Sequence, residues 1–270
     1  MDLAAISAKE QLAWAYRLMA DWGVDDHTYT HLSCRAEPQS YYLAPFGKRF
    51  EEIHAQDLLE VQIKTHKILS GVEITANQTA YYLHSPIYQE HPHIGAIFHL
   101  HTPEIIAVSV DPAGLRPLSQ WALHFHENTA YYDYDSLLLS KKHSAGLIKQ
   151  ISNKSVIFMR HHGVIVLGKT IWEAVFLMHH LQKACYTQCL ALSSCSNPMP
   201  IPAKIAKKSY QDLMCFEENL GWRDWCAWIR YLHNKECKKP LSLVKGRSLQ
   251  RAYGRPPSFA ISPKKDSTNL

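Results

Sequence analysis

Between Lys9 and Ala191 the chain alternates short apolar runs with amphipathic stretches, and stacked layers of strand and helix bury both kinds together. Leu12, Ala15, Tyr16 and Met19 recur at helical spacing over residues 9–22, where Gly23 stops the helix. THLSCRAE and SYYLAP read as two strands with Pro45-Phe46-Gly47 turning the chain, and DLLEVQI and KILSG as another pair. Tyr81, His84 and Tyr88 place a helix over residues 77–90, bent at Pro86 because proline removes a backbone donor. GAIFHLH is a short buried strand, and Pro103 opens the helix at 104–110. Two apolar runs, 156–159 and 164–167, flank Arg160-His161-His162-Gly163. Thr170 and Glu173 then form a capping box for a long helix reaching about Ala191. The alternation is irregular and without internal repeat, which points to an α/β or α+β sandwich.

The remainder is organised differently. Pro198, Pro200 and Pro202 mark a linker. One helical stretch over 210–233 carries Leu213, Phe216, Leu220, Trp225, Trp228 and Leu232, and is expected to pack on the domain or on a neighbouring subunit. From residue 238 basic residues, proline and serine dominate, and disorder is expected. The expected organisation is a domain at 1–200, a helical extension at 201–237 and a basic tail at 238–270.

The net charge of +5 misleads as a single figure. Nine Lys/Arg and two acids lie between Lys235 and Leu270, so the body is slightly acidic and a nucleic-acid reading of the charge is unsupported. The seven cysteines are odd in number and form no CxxC, which favours reduced thiols over a structural zinc cluster. No run approaches the roughly 18 apolar residues of a membrane span. MDLAAISAKEQ lacks the basic-then-apolar order of a secretion signal. A soluble, cytoplasmic chain is the resulting expectation.

His99-Leu100-His101 ends the GAIFHLH strand, and alternate strand residues share a face, so both imidazoles can converge on one ion. Neutral imidazole suits zinc, iron, cobalt or nickel. Against this, seventeen histidines give many chance pairs, and a partly buried structural pair is the blander alternative. His161-His162-Gly163, between two apolar runs, offers a third ligand or a solvated turn.

NQTAYYLHSPIYQEHPHIGAIFHLHTPEIIAVSV resembles the helix–strand–helix of the class II aldolase/adducin family. MRHHGVIVLGKTIWEAVFLMHHLQKACYTQCLA resembles its HG-containing strand and the helix after it, and DDHTYTHLSCR and YYLAPFGKRFEEIHAQDLLEVQ its N-terminal strands. These segments are collinear over about residues 10–195. The resemblance implies a three-layer α/β/α sandwich around a central, mostly antiparallel sheet. It implies a divalent metal on His99, His101 and His162, zinc first with iron, cobalt or manganese as alternatives. It also implies a homotetramer with active sites at subunit boundaries and a small carbonyl substrate.

The match departs from the sugar-phosphate aldolases at Ala80, nineteen residues before His99, where they carry an acid/base glutamate. Alanine moves no proton. Their phosphate-holding serines align with Gln78 and Thr79, and a loop glycine with Thr30, which leaves the loop amides and Lys48 for a phosphate. The chain is closer to the adducin-like branch, and His161 replaces the usual asparagine. Candidate catalytic residues are Tyr134, aligned with a proton-donating tyrosine, and Gln78; a packed tyrosine is the alternative for the former. Asp133 could orient a ligand imidazole or be an exposed turn acid; His84 is read as packing, and Glu104 as a replacement base or a helix-end charge. The functional expectation is a metal-dependent aldolase-like lyase for a small hydroxy- or keto-carbonyl compound. Its alternatives are a non-catalytic binding or assembly protein like the adducin head, and a non-haem iron oxygenase or decarboxylase of an aromatic keto acid.

Overall fold

The computed structural model describes residues 6–69, 76–135 and 140–237. It divides into two compact units, Met1–Leu232 and His233–Leu270. The expected basic tail lies outside the described residues, as does the end of the KILSG segment.

In the first unit seven strands form one sheet. In chain order they are β1 (His31–Glu37), β2 (Ser40–Leu43), β3 (Leu59–Gln62), β4 (Ala96–Leu100), β5 (Thr129–Tyr132), β6 (Val156–Met159) and β7 (Gly163–Gly168). The sheet order is β3-β2-β1-β4-β7-β6-β5. Every neighbouring pair is antiparallel except β5 with β6. The KILSG strand is reduced, in its described part, to a single bridge between Val61 and Ile68.

Helices cover both faces, as the alternation along β4 shows. Ala96, Phe98 and Leu100 point into one core with α1 (Ala8–Asp21), α3 (Pro103–Val110) and α6 (Ile171–Ser194). Ile97 points into the other core with α2 (Gln78–Glu90) and α5 (Lys141–Ile151). The result is the expected three-layer α/β/α sandwich with a mostly antiparallel sheet. A short helix, α4 (Gln120–Leu123), contributes Ala122 to the first core.

Helix ends follow local chemistry. Ser7 and Glu10 close a full capping box on α1, and Asn77, Thr102 and Thr170 accept amide protons at α2, α3 and α6. At α6 the expected box is modified: Glu173 Oε2 accepts from Lys169 N, one residue before the cap. Helix α2 runs through Pro86 without ending.

The single helix expected over 210–233 is instead two, α7 (Ala203–Met214) and α8 (Trp222–Cys237). Gly221 separates them with φ +82°, and a Cβ there would sit 2.5 Å from Phe176 Cβ. Only glycine meets both demands. Trp225, Ile229 and Leu232 then enter the first core. Among the described residues no helix is long and apolar enough to cross a membrane.

Candidate metal centre

His99 is the fourth residue of β4, on the face of Ile97, and His101 follows it two residues later. His162 closes the turn between β6 and β7, its amide bonded to Met159 O at 3.0 Å. The next residue must be glycine for packing reasons. A Cβ at Gly163 would lie 2.5 Å from Leu100 O and 2.6 Å from His101 Cδ2. The three side chains each bring one nitrogen within 4.8 Å of the others.

The proton inventory of this cluster is informative. His99 Nδ1 lies 3.0 Å from Val164 O, which only accepts, so Nδ1 holds the proton and Nε2 the lone pair. His101 Nδ1 lies 3.2 Å from Asp26 Oδ2, again an acceptor, so its Nε2 also bears a lone pair. Those two Nε2 atoms are 2.8 Å apart. Two facing lone pairs repel unless an electrophile stands against both. A proton on either nitrogen would make an imidazolium, and burial pushes His99 well below the ordinary histidine range and lowers His101 against the pull of Asp26. Burial also brings His162 to about 4, and its Nδ1 is buried without a hydrogen-bond partner. Neutral imidazoles with uncommitted lone pairs are what a divalent cation binds. The residues present therefore fit a metal.

A cavity of about 430 Å³ opens onto the triad, lined also by Asp26, Tyr29, His31, Phe46, Asn77 and Thr79. His31, paired with His99 across β1 and β4, stands beside the triad with ring centroids 5.0 Å apart. Burial takes it to about 3. Asn77 Oδ1 accepts from both the amide and the hydroxyl of Thr79, at 3.0 and 2.8 Å.

Other candidates fall elsewhere. Gln78 is exposed at the start of α2, while its neighbours Asn77 and Thr79 line the cavity. Tyr134 is 59% exposed beyond the end of β5 and does not line it. Asp133 is exposed and 3.6 Å from Arg160; the carboxylate that orients a triad imidazole is Asp26. Glu104 accepts from Gln182 Nε2 at 2.9 Å and lines a different cavity from the triad's. Lys48 is held by Asp57 at 2.6 Å. His161 is exposed in a left-handed conformation, φ 60°. Ala80 is fully buried in the second core. His84, read as packing, contacts His31 inside the protein.

Asp26 and His31 were not singled out from sequence. Asp26 sits in an irregular turn, where nothing marks its partner. His31 had one legible signal, its alternation with Ser33 on a strand, but its placement beside His99 depends on pairing between distant segments.

Residues 10–189 match the family profile described as Class II Aldolase and Adducin N-terminal domain. Alpha-adducin of Rattus norvegicus is 33% identical over 192 residues, covering 70% of this chain and 26% of that protein. A Pseudomonas aeruginosa protein provisionally named an aldolase class 2 protein is 32% identical over 240 residues, covering 85% of this chain and 92% of its own. An aldolase II superfamily protein from Pseudomonas syringae superposes with a TM-score of 0.80 at 30% identity, covering 86% of this chain and 96% of that one. L-fuculose 1-phosphate aldolase from Glaciozyma antarctica PI12 shares the fold with a TM-score of 0.75 at 24% identity, covering 85% and 90% of the two chains. The chain thus spans about a quarter of the alpha-adducin it matches and nearly all of the bacterial relative. The profile takes in both histidine segments and the strands and helices that carry them, and on that ground the chain belongs to the class II aldolase/adducin family.

Proposed function

We propose that this protein is a metal-dependent lyase acting on a small hydroxy- or keto-carbonyl compound, with His99, His101 and His162 as ligands. The observation that carries this reading is the approach of the His99 and His101 Nε2 lone pairs to 2.8 Å, with both Nδ1 protons committed elsewhere. A divalent cation at the triad supplies Lewis acidity toward a carbonyl oxygen. The chain's own residues do the remaining work. Val164 O and Asp26 hold the imidazoles in the ligating tautomer, and His31, Asn77 and Thr79 border the space for substrate. Zinc is the proposed cation, and a homotetramer with sites at subunit boundaries the proposed assembly.

A second reading, a binding or assembly role like that of the adducin head, is favoured by Ala80, which leaves no proton-transfer group at the aldolase position. Elemental analysis of the purified chain, with a screen of aldol and keto-acid substrates, tests both. Stoichiometric zinc lost in His99→Ala, with turnover lost alongside it, is the expected result. Stoichiometric zinc without turnover of any substrate supports the assembly role, iron supports the oxygenase alternative, and absence of bound metal refutes the metal reading.

A further inference from the structure

Behind the triad, a line of buried polar groups runs from β1 into α2. His31 Nδ1 lies 2.6 Å from His84 Nε2, His84 Nδ1 lies 2.6 Å from Ser33 Oγ, and Ser33 Oγ lies 2.9 Å from the Tyr88 hydroxyl. None of the four residues is more than 5% exposed. The geometry follows from periodicity. His31 and Ser33 alternate on one face of β1, and His84 and Tyr88 are one helical turn apart on α2.

Each link has two polarities, and counting protons selects one. The Tyr88 hydroxyl has no hydrogen-bond partner other than Ser33 among the described residues, so its proton goes to Ser33 Oγ. Ser33 then donates its single proton to His84 Nδ1. His84 carries its own proton on Nε2 and donates it to His31 Nδ1. His31 is left with its proton on Nε2, the nitrogen remaining for the cavity that its ring lines. The reverse polarity strands a tyrosine proton in the core without an acceptor, the costlier arrangement.

We propose that His31 is a ligand-binding residue, a neutral Nε2–H donor locked in one tautomer by Tyr88, Ser33 and His84, that hydrogen-bonds an anionic oxygen of the molecule held at the three histidines. Small carboxylates with a second oxygen donor are the ligand class this geometry suits. His31 itself is no member of the three-nitrogen set, so it binds the ligand and leaves the cation to the triad. Ser33, His84 and Tyr88 are positioning residues. The ligand-binding half rests on the metal reading above; the tautomer does not.

Long-range ¹H–¹⁵N spectra of the full chain, recorded metal-stripped and zinc-loaded, read the tautomer directly in the wild type. Calorimetry with oxalate on the zinc-loaded chain reads the donor. The expected results are a His31 proton on Nε2 and oxalate binding weakened at least about tenfold in His31→Leu with zinc stoichiometry unchanged. Ser33→Ala, which cuts the line, is expected to mix the His31 tautomers and weaken oxalate several-fold. A proton on His31 Nδ1 in the wild type overturns the proposal, as does unchanged oxalate affinity in His31→Leu, or loss of zinc with His31. A wild type that binds no zinc refutes the metal reading and with it the ligand-binding half, while the tautomer still decides whether the buried line orients His31.

Discussion

Acid should destabilise this protein well before its carboxylates titrate. Burial holds His31 near 3 and pushes His84 and His99 well below the ordinary range, so all three stay neutral in the folded state as the pH falls past 6.5. The unfolded chain takes up those protons first. Stability is therefore fully present above about pH 6.5 and declines as pH falls toward the folded values. Between pH 7 and 5 the proton on unfolded His31 alone costs about 2 kcal/mol, and His84 and His99 add to it in the same direction. Against a total stability of about 5–15 kcal/mol, that is a large fraction. Urea unfolding of metal-stripped protein, followed by tryptophan fluorescence at pH 7.5, 6 and 5, measures the effect. His31→Gln should flatten the dependence by one proton, about 1.4 kcal/mol per pH unit. A midpoint that does not move between pH 7.5 and 5 would refute the claim that these rings are buried neutral.

Two further substitutions test the construction of the triad. Asp26→Asn leaves His101 without its carboxylate, and zinc affinity should fall about 10- to 100-fold in competition with a chromophoric chelator, with little change in folding. Gly163→Ala forces a methyl group against Leu100 O and the His101 ring, which should cost roughly 1–3 kcal/mol in chemical denaturation and displace His101 from the ligating position. An alanine variant as stable and as zinc-competent as the wild type would show that the turn yields where the geometry says it is closed.

What sequence made legible here is what depends on local periodicity. HxH on a strand places two rings on one face whatever the sheet order. Asn77, Thr102 and Thr170 mark helix starts by chemistry confined to three or four residues. The missed elements lack such a signature. Strand β5 is half-buried at every residue and earns its place by pairing parallel with β6, a contact made across the intervening helix. The break between α7 and α8 follows from Gly221 passing close to Phe176, so a hydrophobic pattern that ran on through 215–221 misled. Asp26 and His31 join the site through residues 75 and 53 positions away, His101 and His84. Such long-range neighbours have no local trace.

The cavity holds charge better than it moves protons. Its donors and ligands are the triad, His31, Tyr29 and the capped start of α2, and Asp26 is the sole carboxylate among its described lining residues. Asp26 is engaged with His101, and drawing it into proton transfer would loosen a ligand. Ala80, which the resemblance aligns with the base of the aldolases, is buried in the second core with Leu83 and Ile87. The hydroxyls of Tyr29 and Thr79 and the proposed His31 Nε2–H are the protons that this lining offers a carbon–carbon cleavage. Tyr134 is exposed and is not among the described lining residues of that cavity. Should the proposed tetramer bring Tyr134 into a neighbouring site, a monomeric variant would keep its zinc and its oxalate affinity and lose turnover; retained turnover would place the proton donor within one chain.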